Sequence, residues 1–265
     1  MSNRLIIIPT YNESMNAPIL IERIFKYIPA ASLLFIDDGS PDGTAQVIKE
    51  LQKKFPTLHL LERGSKSGLG SAYRAGFAWG IERGYEELIE MDADLSHRVR
   101  DLAKMLAAKE AESGVSLVIG SRWVSGGEIE NWPKTREILS RSANLYVRVM
   151  LGMGVKDSTA GFRIYSSQIL KRIKLEEIKS EGYSFQIEMT REVHRLGGKI
   201  IEVPITFRER EQGVSKMSKN IVREAMRLVT IWGFKRFLRI KYLAVAVGFE
   251  PTVEFPQHAL SRRAP

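Results

Sequence analysis

The sequence contains no cysteine, and this absence excludes several kinds of site at once. Disulfide frameworks, thiolate metal sites and a cysteine nucleophile are all ruled out, and the composition fits a reducing compartment. Histidine is scarce too, with four residues in a chain of 265. Only His97 lies close to the acidic motif on which the functional interpretation depends.

Long apolar runs are missing as well. The apolar stretch at residues 5–8 stops at Pro9, which makes it too short for the apolar region of a signal peptide. No segment reaches the roughly 20 apolar residues needed to cross a bilayer. We therefore expect a cytoplasmic protein, associated peripherally with the cytoplasmic face of a membrane.

Positive charge is in excess, with a formal net charge of +9. Such an excess favours an anionic partner, which can be nucleic acid, an anionic membrane surface or a phosphate-bearing substrate. No nucleic-acid-binding motif with interleaved aromatic residues is present. We therefore expect no nucleic-acid partner and retain the membrane surface and the phosphate-bearing substrate.

The first hundred residues alternate between strand and helix patterns. Continuous apolar runs at residues 4–8, 32–36 and 58–62 are typical of buried parallel strands, and amphipathic helical patterns separate them. This alternation predicts an α/β fold with a mostly parallel central sheet, right-handed crossovers and flanking helices. Ligands of such sheets bind beyond the carboxyl ends of the strands.

Acidic residues follow the predicted strands at that edge. Asp92 and Asp94 follow the apolar pair Leu88 and Ile89, while Glu13 and Asp38 follow two earlier strands. Two hard oxygen ligands one residue apart suit Mg²⁺ or Mn²⁺, especially an ion already carried by phosphates. The alternative is a set of ordinary surface acids, although carboxylates crowded into one crevice would repel each other without a cation.

Two later segments leave alternatives open. The basic, glycine-rich loop at residues 63–72 fits a phosphate cradle or an ordinary connection. The pattern at residues 220–242 predicts a basic amphipathic helix, which either packs on the protein or lies on a membrane surface. We expect a catalytic domain at 1–218, this helical segment at 219–242, and a disordered tail at 243–265.

Several motifs in order resemble a known family. Pro9-Thr10-Tyr11-Asn12-Glu13, Asp37-Asp38-Gly39-Ser40 and Asp92-Ala93-Asp94 resemble the nucleotide-sugar half of inverting GT-A glycosyltransferases of family 2. The later motifs resemble dolichol-phosphate mannose synthases, and most closely the actinobacterial polyprenol monophosphomannose synthases. These later motifs are Gly68-Leu69-Gly70, Gly120-Ser121-Arg122, Asn131-Trp132-Pro133 with Arg136, 159–163, 182–186 and 213–218.

The resemblance implies a reaction and a set of roles. GDP-mannose and polyprenyl phosphate would give polyprenyl-phosphate β-mannose and GDP. The enzyme would act while bound peripherally to a membrane surface, alone or with a membrane-embedded partner protein. The implied donor-binding residues are Pro9, Tyr11, Glu13, Asp38, Asp92, Ala93, Asp94, Arg210 and Lys216. Asp92, Asp94 and Ser96 would hold Mg²⁺ or Mn²⁺, whereas Arg122, Arg136 and Ser140 would receive the acceptor phosphate. Asp94, Arg122 and Arg136 are the implied catalytic residues.

Two positions depart from the pattern of the family. Val99 replaces a usual proline after the acidic motif, and Glu181 stands where a lysine is common. An acid at position 181 removes a cation from the donor phosphates, which Lys179 could replace. Two alternative functions remain, namely a polyprenyl-phosphate glucosyltransferase that uses another nucleotide sugar and a catalytically weak homologue that docks on membranes.

Overall fold

The structure, a computed structural model, describes residues 3–209 and 219–246, with side chains in the second range given for 222–238. Nine strands and eight helices lie in this part of the chain. The strands are β1 (Arg4–Thr10), β2 (Ser32–Asp37), β3 (Leu58–Glu62), β4 (Glu87–Glu90), β5 (Val115–Ser121), β6 (Glu128–Glu130), β7 (Arg163–Ser166), β8 (Lys199–Pro204) and β9 (Thr206–Arg208). The helices are α1 (Asn16–Tyr27), α2 (Thr44–Gln52), α3 (Leu69–Glu82), α4 (Val99–Ala111), α5 (Lys134–Leu151), α6 (Ser167–Leu170), α7 (Gly182–Arg195) and α8 (Lys219–Ala246).

Seven strands form the central sheet, in the order β3-β2-β1-β4-β7-β5-β8. All neighbours pair in parallel except at β7, which runs antiparallel to both β4 and β5. The predicted α/β fold with a mostly parallel sheet is therefore confirmed. Because β1, β2 and β4 are parallel neighbours, the segments that follow them emerge at one edge of the sheet.

Both faces of the sheet are covered, which explains the continuous apolar runs. In β1, Ile6 and Ile8 belong to the core under α1 and α4, while Leu5 and Ile7 belong to the core under α3 and α7. A strand with helices on both faces has no solvent-facing side, so apolar and polar residues do not alternate along it. Gly76 lets α3 approach closely, since a Cβ there would lie 2.5 Å from Ile7 Cγ2.

A second, two-stranded sheet joins β6 to β9 in parallel. It follows directly from the edge strand β8, whose last residue is Pro204. Pro204 thus stands at the end of an edge strand, a position that proline tolerates. The small sheet brings Phe207 beside His97, to which it is bridged, so it lies next to the acidic motif.

Helix α8 packs against α5 and α7. Val229 joins Val147, Leu151 and Ile187 in a small apolar core, and the Tyr146 hydroxyl hydrogen-bonds Thr230 Oγ1 at 2.6 Å. The helix extends to Ala246, four residues past the segment boundary suggested by the sequence. Within the described residues, no helix combines the length and the apolar character that crossing a membrane requires.

Candidate active site

The ends of β1 and β2 are joined through their following loops. The backbone N–H of Asn12 donates to Ser40 Oγ at 3.0 Å, and that of Glu13 donates to Thr44 Oγ1 at 2.9 Å. Asn12 has a φ of 61°, a left-handed conformation that asparagine tolerates better than most residues. Pro9 near the end of β1, and Tyr11 and Glu13 on the fixed loop that follows, are all partly buried and lie at the predicted sheet edge.

Asp38 is buried at this edge and paired with an arginine that the sequence interpretation missed. Arg63 donates from Nε to Asp38 Oδ1 at 2.7 Å and from Nη2 to Oδ2 at 2.8 Å. Its Nη1 also donates to Ser71 Oγ at 2.9 Å. Arg63 thus neutralises one of the crowded carboxylates and ties the glycine-rich loop to β2. The basic character of that loop was the only signal for this role.

The glycine-rich loop receives a carboxylate from the chain itself. Glu181 Oε2 accepts from the backbone N–H of Gly70 at 2.6 Å, and its Oε1 accepts from Ser71 at 3.1 Å. Arg74 Nη2 lies 3.4 Å from the same carboxylate. The positive start of α3 is therefore occupied, and the ordinary connection is the interpretation that the structure supports. Glu181 joins α7 to α3, a role that its departure from the family pattern did not suggest.

Asp92 and Asp94 lie in a bend directly after β4. The chain bends at residues 93–95, and Leu95 adopts a φ of 64°, a conformation that is costly for a residue with a bulky side chain. Asp94 Oδ1 accepts from the backbone N–H of Ser96 at 3.1 Å. Ala93, Asp94 and Ser96 are buried, whereas 36% of the Asp92 side chain is exposed. The chain is therefore bent, not extended, between Asp92 and Asp94.

His97 orients this bend and does not act as an exposed base. Its Nδ1 accepts from the Asp92 backbone N–H at 3.2 Å, and its ring stacks on Phe162 with centroids 4.7 Å apart. Burial lowers the pKa of His97 to about 4, so the imidazole is neutral at pH 7. Since Nδ1 accepts a hydrogen bond, the proton resides on Nε2.

The donor set at the bend fits a hard divalent cation. Asp92 and Asp94 supply carboxylate oxygens, and Ser96 supplies a hydroxyl, which are the ligand types preferred by Mg²⁺ and Mn²⁺. In the described part of the chain, no three histidine, aspartate or glutamate side chains form a metal-binding group. A cation held by two carboxylates needs further ligands, and diphosphate oxygens with water suit that need.

A third carboxylate lies beneath the bend. Glu90 is fully buried in β4, and its Oε2 accepts from Gln186 Nε2 at 2.8 Å. Burial raises the pKa of Glu90 to about 7, against the opposing effect of Arg163. Its Oε1 has no hydrogen-bond partner among the described residues. Nothing in the sequence of β4 indicated that Glu90 would be a buried ionisable group.

Arg122 follows β5 and is held by a buried ion pair. Its Nε and Nη2 donate to Asp157 at 2.8 and 2.7 Å, and its backbone N–H donates to the same carboxylate at 3.0 Å. Nη2 also donates to Thr159 Oγ1 at 3.0 Å. Burial alone would lower the pKa of Arg122, but Asp157 and, more weakly, Asp92 raise it. The guanidinium is therefore fixed and lies within electrostatic reach of the acidic bend.

Three aromatic rings surround Arg122. The guanidinium carbon lies 5.5, 5.4 and 5.5 Å from the ring centres of Trp123, Trp132 and Phe207. Arg136 lies 4.0 Å from the Trp132 ring and pairs with Glu209 at 2.5 Å. Trp132 thus lies between the guanidinium groups of Arg122 and Arg136.

A groove begins at these arginines and continues between three helices. Arg122, Arg136 and Ser140 line it, as do Trp132, Thr159 and Tyr183. The remaining lining is apolar and comes from Leu139 and Ala143 of α5, Ile187 of α7, and Val222, Met226 and Val229 of α8, among others. The groove encloses about 680 Å³ when the space open to solvent is counted.

The structure thus brings together the three residues that the sequence assigned to the acceptor phosphate. It places Pro9, Tyr11, Glu13 and Asp38 at the ends of β1 and β2, and the acidic bend after the neighbouring β4. Arg210 and Lys216, two of the expected donor-binding residues, lie outside the described residues, as do residues 247–265 of the expected tail. Asp157 and Glu209, which hold the two arginines, were missed because ion pairs between distant segments leave no local pattern.

A comparison with protein families identifies the family that has these motifs. The model described as "Glycosyl transferase family 2" matches residues 5–174, which is more than half of the chain. The chain belongs to glycosyltransferase family 2. The predicted family, fold and enzyme class are therefore confirmed.

Two relatives in this glycosyltransferase family extend over most of the chain. A polyprenol monophosphomannose synthase of Mycolicibacterium smegmatis is 49% identical over 232 residues, which cover 87% of this chain and 87% of that protein. An undecaprenyl-phosphate mannosyltransferase of Micrococcus luteus is 49% identical over 229 residues, which cover 86% of this chain and 93% of that protein.

Solved structures with the same fold are more distant in sequence. Glucosyl-3-phosphoglycerate synthase from Mycobacterium tuberculosis, in complex with Mn²⁺, UDP-glucose and phosphoglyceric acid, is 16% identical with a TM-score of 0.64. The match covers 87% of this chain and 79% of that chain. At this identity the likeness supports the GT-A-type fold of the family 2 enzyme.

Proposed function

We propose that this family 2 glycosyltransferase moves mannose from GDP-mannose to polyprenyl monophosphate and inverts the anomeric centre. The observation that carries the proposal is the groove, which has fixed cations at one end and an apolar lining between α5, α7 and α8. A polyprenyl phosphate has the matching division into a charged end and an apolar chain. Two relatives of 49% identity are named polyprenol monophosphomannose synthase and undecaprenyl-phosphate mannosyltransferase.

Arg122, Arg136 and Ser140 receive the acceptor phosphate in this proposal. Asp157 engages Nε and Nη2 of Arg122, and Nη1 makes no hydrogen bond to any described residue, so it is the donor left for phosphate. Arg136 adds a second cation, stacked on Trp132. Two fixed cations bring a dianionic nucleophile close to an anionic donor, which is catalysis by positioning and charge neutralisation.

The transfer needs no general base. A phosphate monoester is largely dianionic at neutral pH because its second pKa is about 6. One of its oxygens forms a bond to the anomeric carbon while the bond from that carbon to the donor phosphate oxygen breaks and GDP leaves. Attack from the face opposite GDP gives the β-product. Neutral, buried His97 supports this interpretation, since its Nδ1 is already engaged by Asp92.

Asp92 and Asp94, with Ser96 beside them, hold Mg²⁺ or Mn²⁺ in this proposal. When bound, the cation supplies positive charge to the diphosphate that leaves with GDP. Pro9, Tyr11, Glu13 and Asp38 hold the guanosine, with Ala93 in the donor site, and Arg210 and Lys216 reach the donor phosphates. The Asp38 carboxylate that holds the guanosine is already oriented by its hydrogen bonds from Arg63.

A peripheral position on the cytoplasmic face of a membrane completes the proposal. On α8, Phe234, Phe237 and Leu238 are 60%, 48% and 56% exposed, while Ile138 and Val149 of α5 are 63% and 61% exposed. Large exposed apolar side chains among basic residues suit a headgroup layer. Flotation with liposomes at low and high salt tests this point, and a protein that never floats contradicts it.

A transfer assay tests the reaction itself. Purified protein is incubated with polyprenyl phosphate, a divalent cation and either radiolabelled GDP-mannose or UDP-glucose. We expect a labelled lipid product with GDP-mannose only, and its loss on chelation of the cation. A product from UDP-glucose alone favours the glucosyltransferase, and no lipid product from any donor favours the catalytically weak homologue.

A further inference from the structure

A polar cavity lies on the side of α5 that faces away from the acceptor groove. Its lining comprises Trp123 after β5, Arg141, Asn144, Leu145 and Arg148 of α5, and Lys156 beyond the helix. The cavity volume is about 130 Å³. A water molecule needs only roughly 10–15 Å³ in this measure, so the cavity has room for a much larger polar group.

All three charged residues that line the cavity are cations. Arg148 and Lys156 form no ion pair with any described residue. Arg141 pairs with Glu137 at 3.0 Å and lies 4.2 Å from the Trp123 ring, but Glu137 does not line the cavity. Cations around one space repel each other, and a bound anion relieves that repulsion.

Two neutral groups at the cavity also have unused hydrogen-bonding capacity. Trp123 Nε1 is a buried donor without a partner in the described part of the chain. Asn144 donates to Ser140 O at 3.0 Å and Thr159 Oγ1 at 3.1 Å, which leaves its buried Oδ1 without a partner among those same residues. An indole N–H requires an acceptor and an amide oxygen requires a donor. Both atoms are buried within the cavity wall, so the groups that a ligand meets there are the three cations, which match a phosphate.

The position of the cavity indicates where such a phosphate comes from. Leu145 at its margin is 51% exposed, and Val149, one turn further along α5, is 61% exposed. Exposed apolar side chains beside a basic cavity suit the boundary between headgroups and acyl chains. We propose that this cavity binds the phosphate of an anionic lipid headgroup and is distinct from the acceptor groove.

Such binding would have a consequence for the orientation of the enzyme. Ser140, Ala143 and Val147 of α5 line the acceptor groove, while Arg141, Asn144 and Arg148 line the cavity. One helix therefore separates the two sites. A headgroup held in the cavity keeps α5, and with it the groove, against the bilayer from which a lipid acceptor must enter. The inference does not depend on which sugar is transferred.

The double variant Arg148→Gln/Lys156→Gln tests the proposal. Its matched control is Arg227→Gln/Lys235→Gln, which removes the same charge from exposed positions of α8 that do not line the cavity. Binding is measured to phosphatidylcholine vesicles with and without phosphatidylglycerol. Each double variant removes two basic residues, so both lose the same diffuse attraction to an anionic surface. We expect the cavity variant to bind anionic vesicles at least 10-fold more weakly than the control does.

Calorimetry with glycerol phosphate in solution separates the two sources of phosphate. Equal losses in the two variants mean diffuse attraction only and overturn the proposal. If the cavity variant loses glycerol phosphate binding but keeps vesicle binding, the ligand is a soluble phosphate and the lipid assignment fails. Turnover of a detergent-solubilised acceptor should equal that of the wild type, which separates this proposal from the transfer reaction.

Discussion

Replacement of Asp157 by asparagine tests whether a buried ion pair holds Arg122 in place. The Asp157 carboxylate is fully buried and accepts three hydrogen bonds from Arg122, which is itself only 6% exposed. Asparagine keeps the size of the side chain and one acceptor oxygen but removes the negative charge. The arginine would then be a buried cation without a hydrogen-bonded counter-charge.

The expected cost follows from this environment. Breaking a buried ion pair by removing one partner costs about 3–5 kcal/mol, and the remaining acceptor places Asp157→Asn near 3 kcal/mol. For a domain of this size, about 3 kcal/mol lowers Tm by roughly 6–12 °C. The control is Glu177→Gln, which breaks an ion pair with Lys174 whose side chains are 70% and 65% exposed. We expect less than about 1 kcal/mol from that exposed pair.

The pH dependence provides a further check. Burial alone would raise the pKa of Asp157, but the Arg122 charge and its hydrogen bonds outweigh burial and hold the pKa below its usual value. A lowered pKa contributes stability above the unfolded value near 3.8, and this stability is lost as pH falls through the folded pKa. The difference between wild type and Asp157→Asn should therefore stay constant from pH 8 to about 5 and shrink below pH 4.

Thermal and urea denaturation at several pH values give the answer. A loss below about 1 kcal/mol at neutral pH, or one no larger than that of Glu177→Gln, would show that Arg122 does not depend on Asp157. We expect Asp157→Asn also to raise the apparent KM for lipid phosphate, because Arg122 loses its fixed orientation.

Three other changes address the acidic bend and its surroundings. Asp94→Asn should abolish metal-dependent turnover and weaken Mn²⁺ binding measured by electron paramagnetic resonance in the presence of GDP; unchanged Mn²⁺ affinity would exclude Asp94 as a ligand. Glu181→Gln should cost about 1–2 kcal/mol in urea denaturation, because a charge-assisted contact at the start of α3 is weakened; an unchanged midpoint would mean that Glu181 does not anchor α7 to α3. In metal-free protein, burial raises the pKa of Glu90 from 4.5 to about 7, so the folded state loses stability as pH rises across that window. Burial lowers the pKa of His97 from 6.5 to about 4, so that group makes the folded state more stable as pH rises from 4 to 6.5. Glu90→Gln removes only the first effect and should therefore gain about 2 kcal/mol over wild type between pH 5 and 7.5, and a difference that does not vary with pH would contradict the burial of an ionisable group.

Much of the fold could be predicted because apolar runs report burial. The strand at residues 58–62 has the predicted limits, and the acidic bend follows a strand as expected. The direction of β7 could not be predicted, since the composition of a short strand is the same in either direction. Helix α3 begins at Leu69, four residues earlier than its apolar pattern suggests, because Glu181 satisfies its first N–H groups from a distant segment.

The site could be predicted only for residues that form local motifs. Arg122, Arg136 and Ser140 line one groove, although the first and the last are 18 positions apart in the sequence. The residues that hold these side chains were not found, because Asp157 and Glu209 meet their arginines only after folding. The sequence left open whether the C-terminal helix packs on the protein or lies on a membrane surface. In the structure, α8 packs on α5 and α7 and still exposes Phe234 and Phe237.

The role of the groove is best tested by steady-state kinetics of Arg136→Ala with both substrates varied in detergent. The control is Arg83→Ala, because Arg83 also lies over a tryptophan, at 4.1 Å from Trp79, and pairs with a glutamate. If the groove binds polyprenyl phosphate, Arg136→Ala raises the KM for the lipid phosphate about 10-fold or more and leaves the KM for GDP-mannose nearly unchanged, since a charge-assisted hydrogen bond contributes about 1.5–3 kcal/mol. Equal increases in both KM values, or an effect no larger than that of Arg83→Ala, would contradict the assignment of the acceptor site.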